Sequence, residues 1–166
     1  MKYVKKISCL LLVIIYILSI TGCKKTYIYH NEKAVDYLNV YYEYLSDEKQ
    51  DFIGIDLRDL ETAYASGHLK GFISYNYNLK RKSTEDETTY LQRCSTAFQR
   101  WIRQNVDKRT TIFLIDQNGT NILSEAVKLK SSGYKNIHIY AEGYKTLNEY
   151  NHNIIPIITG IEDCGC

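Results

Sequence analysis

The sequence predicts an α/β domain of three layers, α/β/α, built on a mostly parallel central sheet. Three observations carry that prediction. From Lys33 onward, stretches with helical spacing alternate with short apolar runs of strand length, the pattern of a parallel sheet covered on both faces. Phe52–Leu57 and Thr111–Ile115 are apolar almost throughout instead of alternating, as strands buried on both faces are. A chain of 166 residues, 45% hydrophobic and 24% charged, has a globular composition and the size of one domain. The 16 tyrosines read as a coding bias and not as a structural device.

Lys2, Lys5 and Lys6 precede the apolar run Ile7–Ile20. The run is shorter than the ~20 residues of a bilayer span and suits the core of a signal peptide. It closes on Ile20-Thr21-Gly22-Cys23, which resembles the lipobox of bacterial lipoproteins: a branched apolar residue, two small ones, then Cys. That resemblance implies cleavage before Cys23 and diacylation of its thiol. Residues 1–22 are then a signal peptide, and the domain is held by lipid to the outer face of the cell membrane. An uncleaved amino-terminal anchor is the other reading, and it too places the domain outside the cytoplasm. Without the three leading lysines the chain carries 18 basic and 19 acidic groups, a net charge of −1 where the whole sequence has +2. This balance gives no electrostatic footprint for nucleic acid, which is excluded as a partner. Cys94, Cys164 and Cys166 fall in an oxidising compartment, but three thiols make no disulfide framework.

Residues 23–32 read as a polar-aromatic tether without periodicity, residues 33–160 as the domain, and 161–166 as a cysteine-containing tail. Val35, Leu38, Tyr41 or Tyr42, and Leu45 recur at helical spacing, and Ser46–Gln50 ends that helix. Phe52–Leu57 is a strand, Glu61–Ser66 a brief helix or turn stopped by Gly67, and Gly71–Tyr75 a weaker strand. Lys80–Glu87 reads as a solvated charged loop. The helix that follows has Tyr90, Leu91, Ala97, Phe98, Trp101, Ile102 and Val106 on its apolar side, with Cys94 packed as a small hydrophobe. Thr111–Ile115 is the clearest buried strand. The tight loop Asp116–Thr120 leads into a helix from Asn121 to Ser132, stopped by Gly133. Asn136–Tyr140 is the next strand, and a last short helix begins after Gly143. In such sheets ligands bind beyond the carboxyl ends of the strands, where the loop at Asp116 lies.

Two stretches carry a family resemblance. Ile55-Asp56-Leu57-Arg58, followed by Gly67-His68-Leu69-Lys70-Gly71-Phe72-Ile73, resembles the apolar-Asp-apolar-Arg and Gly-His signatures of rhodanese-like domains. Gly119, Ala126, Leu129, Gly133 and Gly143 also fall at that family's spacings when Asp116 is counted in the place of its nucleophilic Cys. The similarity spans roughly Lys33 to Thr159. It implies a rhodanese-like fold and a loop of residues Asp116, Gln117, Asn118, Gly119, Thr120 and Asn121 in the position of the family's active-site loop.

The family's chemistry is sulfane transfer through a Cys thiolate stabilised by loop N–H groups and a helix amino terminus. Here Asp116 stands at the nucleophile position, and Asn121 and Ile122 stand where the resemblance has Arg and Ser. A carboxylate holds no persulfide, and the lost Arg removes the bidentate partner of an anionic donor. The expectation is therefore a non-catalytic binding or scaffold module without a cofactor, whose partner is a protein or a small anionic ligand. Asp116 is expected to cap the following helix or to hydrogen-bond inside its own loop. His68, Asp56 and Arg58 are expected to be structural, His138 on its strand reads as a satisfied core or surface histidine, and His30 and His152 have no partners at metal spacing. The remaining feature is the pair Cys164 and Cys166. They form a labile disulfide, bind a soft metal, or accept sulfane sulfur as an alternative carrier site, or they belong to a tail without function.

Overall fold

The computed structural model describes residues 25–161; Cys23, Cys164, Cys166 and the expected signal peptide lie outside them. Its strands are β1 (Lys25–Tyr29), β2 (Phe52–Asp56), β3 (His68–Leu69), β4 (Phe72–Ser74), β5 (Thr111–Ile115), β6 (Asn136–Tyr140) and β7 (Ile157–Ile158). Its helices are α1 (Ala34–Ser46), α2 (Glu87–Asn105), α3 (Ile122–Ser131) and α4 (Tyr144–Asn151). Five strands form one parallel sheet in the order β1-β6-β5-β2-β4, and β3 pairs antiparallel with β7 beside it. The expected α/β/α architecture is the observed one.

Alternation along β5 divides the core. Ile112 and Leu114 face α2 and α3, where they meet Phe98, Ile102, Ala126 and Leu129. Phe113 and Ile115 face α1 and α4, where they meet Tyr37, Leu38, Tyr41 and Leu147. The second layer is aromatic: the Tyr37 and Tyr41 rings stand edge-on to Phe113 at 5.9 and 5.0 Å. Their hydroxyls donate to the carbonyls of Leu114 and Lys70, so each phenol is buried with its polar end paired. Tyr37 and Tyr41 thus serve as packing elements, a structural role that the compositional reading did not give them.

Three further expectations are corrected. Lys25–Tyr29 lies inside the presumed tether but is the edge strand β1, paired residue for residue with β6. β6 is hydrogen-bonded to β5 on one edge and offers its other edge to β1, and a five-residue stretch gave too little periodicity to announce the strand. On α1 the buried stripe is Ala34, Tyr37, Leu38 and Tyr41, while Val35 and Tyr42 face solvent; on α2, Leu91 is likewise exposed. The loop 80–87 is more than solvated charge. Arg93 donates Nε and Nη2 to the Glu85 carboxylate at 2.8 Å each, which holds that carboxyl down at about 2. Among the described residues no helix is long and apolar enough to cross a membrane.

Candidate functional site

β5 and β2 end side by side, with Asp56 in register with Ile115, so Asp116 emerges at the carboxyl edge of the sheet. Its side chain is buried and turns back into the loop it begins. Oδ1 accepts the N–H groups of Asn118, at 3.1 Å, and of Gly119; Oδ2 accepts the N–H of Asn121 at 3.0 Å. The Asp116 carbonyl accepts the Tyr144 N–H at 2.8 Å, which ties the loop to the start of α4. Asn118 Oδ1 accepts the Thr120 hydroxyl at 2.7 Å. The loop therefore satisfies its own donors, as expected for Asp116.

Glycine makes this closure possible. Gly119 has φ +79° and Gly143 has φ +84°. A Cβ on Gly119 would collide with the Ala141 carbonyl, and one on Gly143 with the backbone of Gln117 and Asn118. The loops after β5 and β6 touch through bare backbone.

Asp56 and Arg58 form the second wall. Arg58 Nε lies 2.9 Å from both Asp56 oxygens and Nη2 lies 2.6 Å from Oδ2, while Nη2 also donates to the Gly67 carbonyl at 2.8 Å. The guanidinium lies 3.5 Å over the Tyr144 ring. Burial pushes the Asp56 carboxyl up from its ordinary value, and the Arg58 hydrogen bonds and charge oppose that rise. Nε and Nη2 of Arg58 are thus held by Asp56 and Gly67, and Tyr144 covers one face of its guanidinium. Between these walls lies a cleft of about 280 Å³ whose lining includes Arg58, Asp59, Thr62, Asn78, Asn118 and Asn121. Thr62 donates its hydroxyl and N–H to Asp59, which holds that rim carboxyl below its usual range. The cleft is small for a ligand pocket and presents carboxylates, amides and the Arg58 side chain.

Of the remaining candidates only His68 lies within electrostatic reach of the Asp56 wall, and none lines the cleft. His68 is buried with Nδ1 3.2 Å from the Tyr64 carbonyl and its ring stacked on Tyr64 at 3.7 Å. His138 stacks on Phe113 and takes the Tyr29 hydroxyl at 3.0 Å; burial lowers its pKa to about 4. His30 meets Glu142 at 2.7 Å on the surface, and His152 ends α4 with φ 39°. Cys94 is buried on α2. Among the described residues no group of three or more His, Cys, Asp or Glu is placed to hold a metal ion. Sequence reasoning missed one buried polar centre. Glu125 on α3 accepts Tyr77 Oη at 3.0 Å, Gln99 Nε2 at 2.7 Å and Lys128 Nζ at 2.9 Å. Its position between Ile122 and Leu129 on the apolar stripe was the available signal.

The rhodanese-like domain model matches residues 39–150. Among solved structures, the chain is similar to the Alr3790 protein from Anabaena sp., with a TM-score of 0.53 at 15% identity over 76% of this chain and 81% of that one. It is also similar to the BH2092 protein from Bacillus halodurans, with a TM-score of 0.46 at 13% identity over 90% and 85%. Against Ygr203w, a yeast protein tyrosine phosphatase of the rhodanese family, the TM-score is 0.44 at 10% identity over 83% and 95%. At these identities the likeness concerns the fold alone. No curated protein matches the chain.

Proposed function

The chain belongs to the rhodanese-like domain family, and from that premise we propose that it is a non-catalytic binding or scaffold module, anchored through Cys23 to the outer face of the cell membrane. One observation carries the reading: the Asp116 carboxylate occupies the N–H groups of Asn118, Gly119 and Asn121. Where the resemblance puts a sulfur nucleophile in a cradle of free donors, this loop has an oxygen acid that fills its own cradle. An anionic sulfur donor would meet no thiol and no open N–H cluster, and the Arg58 Nε and Nη2 are already given to Asp56 and Gly67. The cleft's Asp59 adds negative charge at the rim. These features favour a protein partner over a small anion. The loop is a self-bonded surface feature on a packed scaffold, a preformed shape that suits docking.

The test is sulfur transfer itself. The full-length protein from its membrane is incubated with thiosulfate and cyanide and assayed for thiocyanate, beside the Cys164→Ser/Cys166→Ser variant. No thiocyanate above the protein-free background in either supports the binding reading. Thiocyanate formation that the double variant loses would assign sulfur carriage to the tail thiols and overturn it. An added sulfur atom on any thiol, seen by mass spectrometry, would do the same.

A further inference from the structure

The strand at Lys25 changes what an anchor at Cys23 means. One residue, Lys24, separates them, and the two chain steps span at most about 7 Å. A lipid on Cys23 thus leaves no slack: the amino end of β1 is held at the bilayer surface. β1 is the edge of a parallel sheet, so the amino ends of its neighbours β6 and β5 share that pole.

This pole is basic on the side that carries the anchor. The Lys25 N–H donates to the Lys135 carbonyl at 2.7 Å, just before β6. The Lys108 side chain lies over Gly133, where an added Cβ would meet its Nζ at 3.5 Å. Tyr134, between them, donates its hydroxyl to the Val106 carbonyl and so fixes the turn before β5 against the turn before β6. Lys25, Arg103, Lys108, Lys130 and Lys135 are all exposed. Asp107 on this side is paired with Arg109. Asp47, Glu48 and Asp51 at the same pole precede β2; Asp51 borders β5, where it accepts the Thr110 hydroxyl at 2.7 Å, and β6 and β1 lie farther along the sheet. The charge of this pole therefore changes sign across the sheet, with the cations around the anchor.

We infer that the β1–β6–β5 amino pole, through Lys25, Lys108, Lys135 and their neighbours, is a docking face for anionic phospholipid headgroups. The inference rests on the anchoring through Cys23 proposed above and specifies how the domain sits. Clustered cations within a Debye length of an anionic leaflet are attracted individually, whereas a net charge near zero conceals them. The five residues of β5 rise about 16 Å from this pole. The Asp116 loop and its cleft then face away from the membrane, open to a partner in the surrounding medium.

The experiment is lysine footprinting of the full-length lipidated protein in vesicles. One set is purely zwitterionic phosphatidylcholine, and the other contains phosphatidylglycerol. Acetylation by a water-soluble reagent is followed by mass spectrometry, with Lys145 beside the Asp116 loop as the internal reference. Lys25, Lys108 and Lys135 are expected to react about fivefold more slowly in the anionic vesicles, the factor equivalent to about 1 kcal/mol per residue. High salt should abolish that difference, and Lys145 should not change. The Lys108→Glu/Lys135→Glu variant, altered only at exposed positions, should lose the protection of Lys25. Equal rates in the two vesicle types, or protection of Lys145 instead, overturn the docking face while leaving the anchor intact. The same digest reports the Cys23 peptide: if it carries no lipid, both the anchor and the face that depends on it are overturned.

Discussion

Replacing Asp116 with Ala should show how much of the loop depends on one carboxylate. The substitution leaves three backbone donors without their acceptor, of which the Gly119 N–H is buried and those of Asn118 and Asn121 are partly buried. An orphaned buried donor costs about 1–3 kcal/mol, and partly exposed ones recover part of that from water, so the loss should be about 2–4 kcal/mol. Asp116→Asn keeps one acceptor oxygen and places an NH₂ group against the other donors, and should lose about 1–2 kcal/mol. The order of stability is therefore Asp, Asn, Ala. Urea unfolding gives the free energies, and hydrogen exchange locates the effect: the Gly119 and Asn121 amides should exchange faster in the Ala variant while the β5 amides follow global stability. An Ala variant within about 0.5 kcal/mol of the parent, with its Gly119 amide still protected, would refute the self-filled cradle.

Four other outcomes follow from the same geometry. Asp116→Cys alone should give almost no thiocyanate in the thiosulfate–cyanide assay, since Asn121 still withholds an Arg from the donor; robust turnover by this single variant would contradict that account. Asp56→Ala should destabilise by about 3–5 kcal/mol, because it strands the Arg58 guanidinium in a buried position, and a thermal or urea midpoint close to the parent's would count against the pairing. His138 is held neutral down to about 4, so the unfolded chain binds the extra proton between about 6.5 and 4. Stability should fall as pH drops through that window, and His138→Phe should flatten this part of the stability–pH curve; an unchanged slope would exclude His138 as its source. Gly119→Ala forces a side chain onto the Ala141 carbonyl at φ +79° and should destabilise more than Gly160→Ala, where the space is open despite a similar φ of +94°. Equal unfolding midpoints for these two variants would show that the close approach of the loops after β5 and β6 carries no constraint.

The residues of the central strands were legible because their burial is written in composition. Thr111–Ile115 has an apolar side chain at every position but the first, and no helix of useful length fits the stretch. The role of Asp116 was also legible, since an Asp before a helix with Gly three residues on is a loop that closes upon itself. The edge strand β1 was not. Lys25–Tyr29 mixes charged, hydroxyl and aromatic residues, and it becomes a strand because β6 offers it five partners, a condition that lies more than a hundred residues away in the chain. The same distance hid the charge pattern. A net charge of −1 for the chain without its leader is a sum, whereas Lys25, Lys108 and Lys135 become neighbours only when three strand starts meet at one pole.

What the order of residues determined by itself was therefore the local chemistry: where the central strands and the helices form, that Asp116 stands in the site loop, and that a Cys lies at position 23. The tertiary structure decided how those pieces face. It spent the loop's donors on Asp116, committed Arg58 to Asp56 and Gly67, and made an edge strand of the segment that begins at Lys25. Short-range rules act through backbone neighbours and side-chain type, while facing and charge juxtaposition depend on contacts between segments that only the folded sheet brings together.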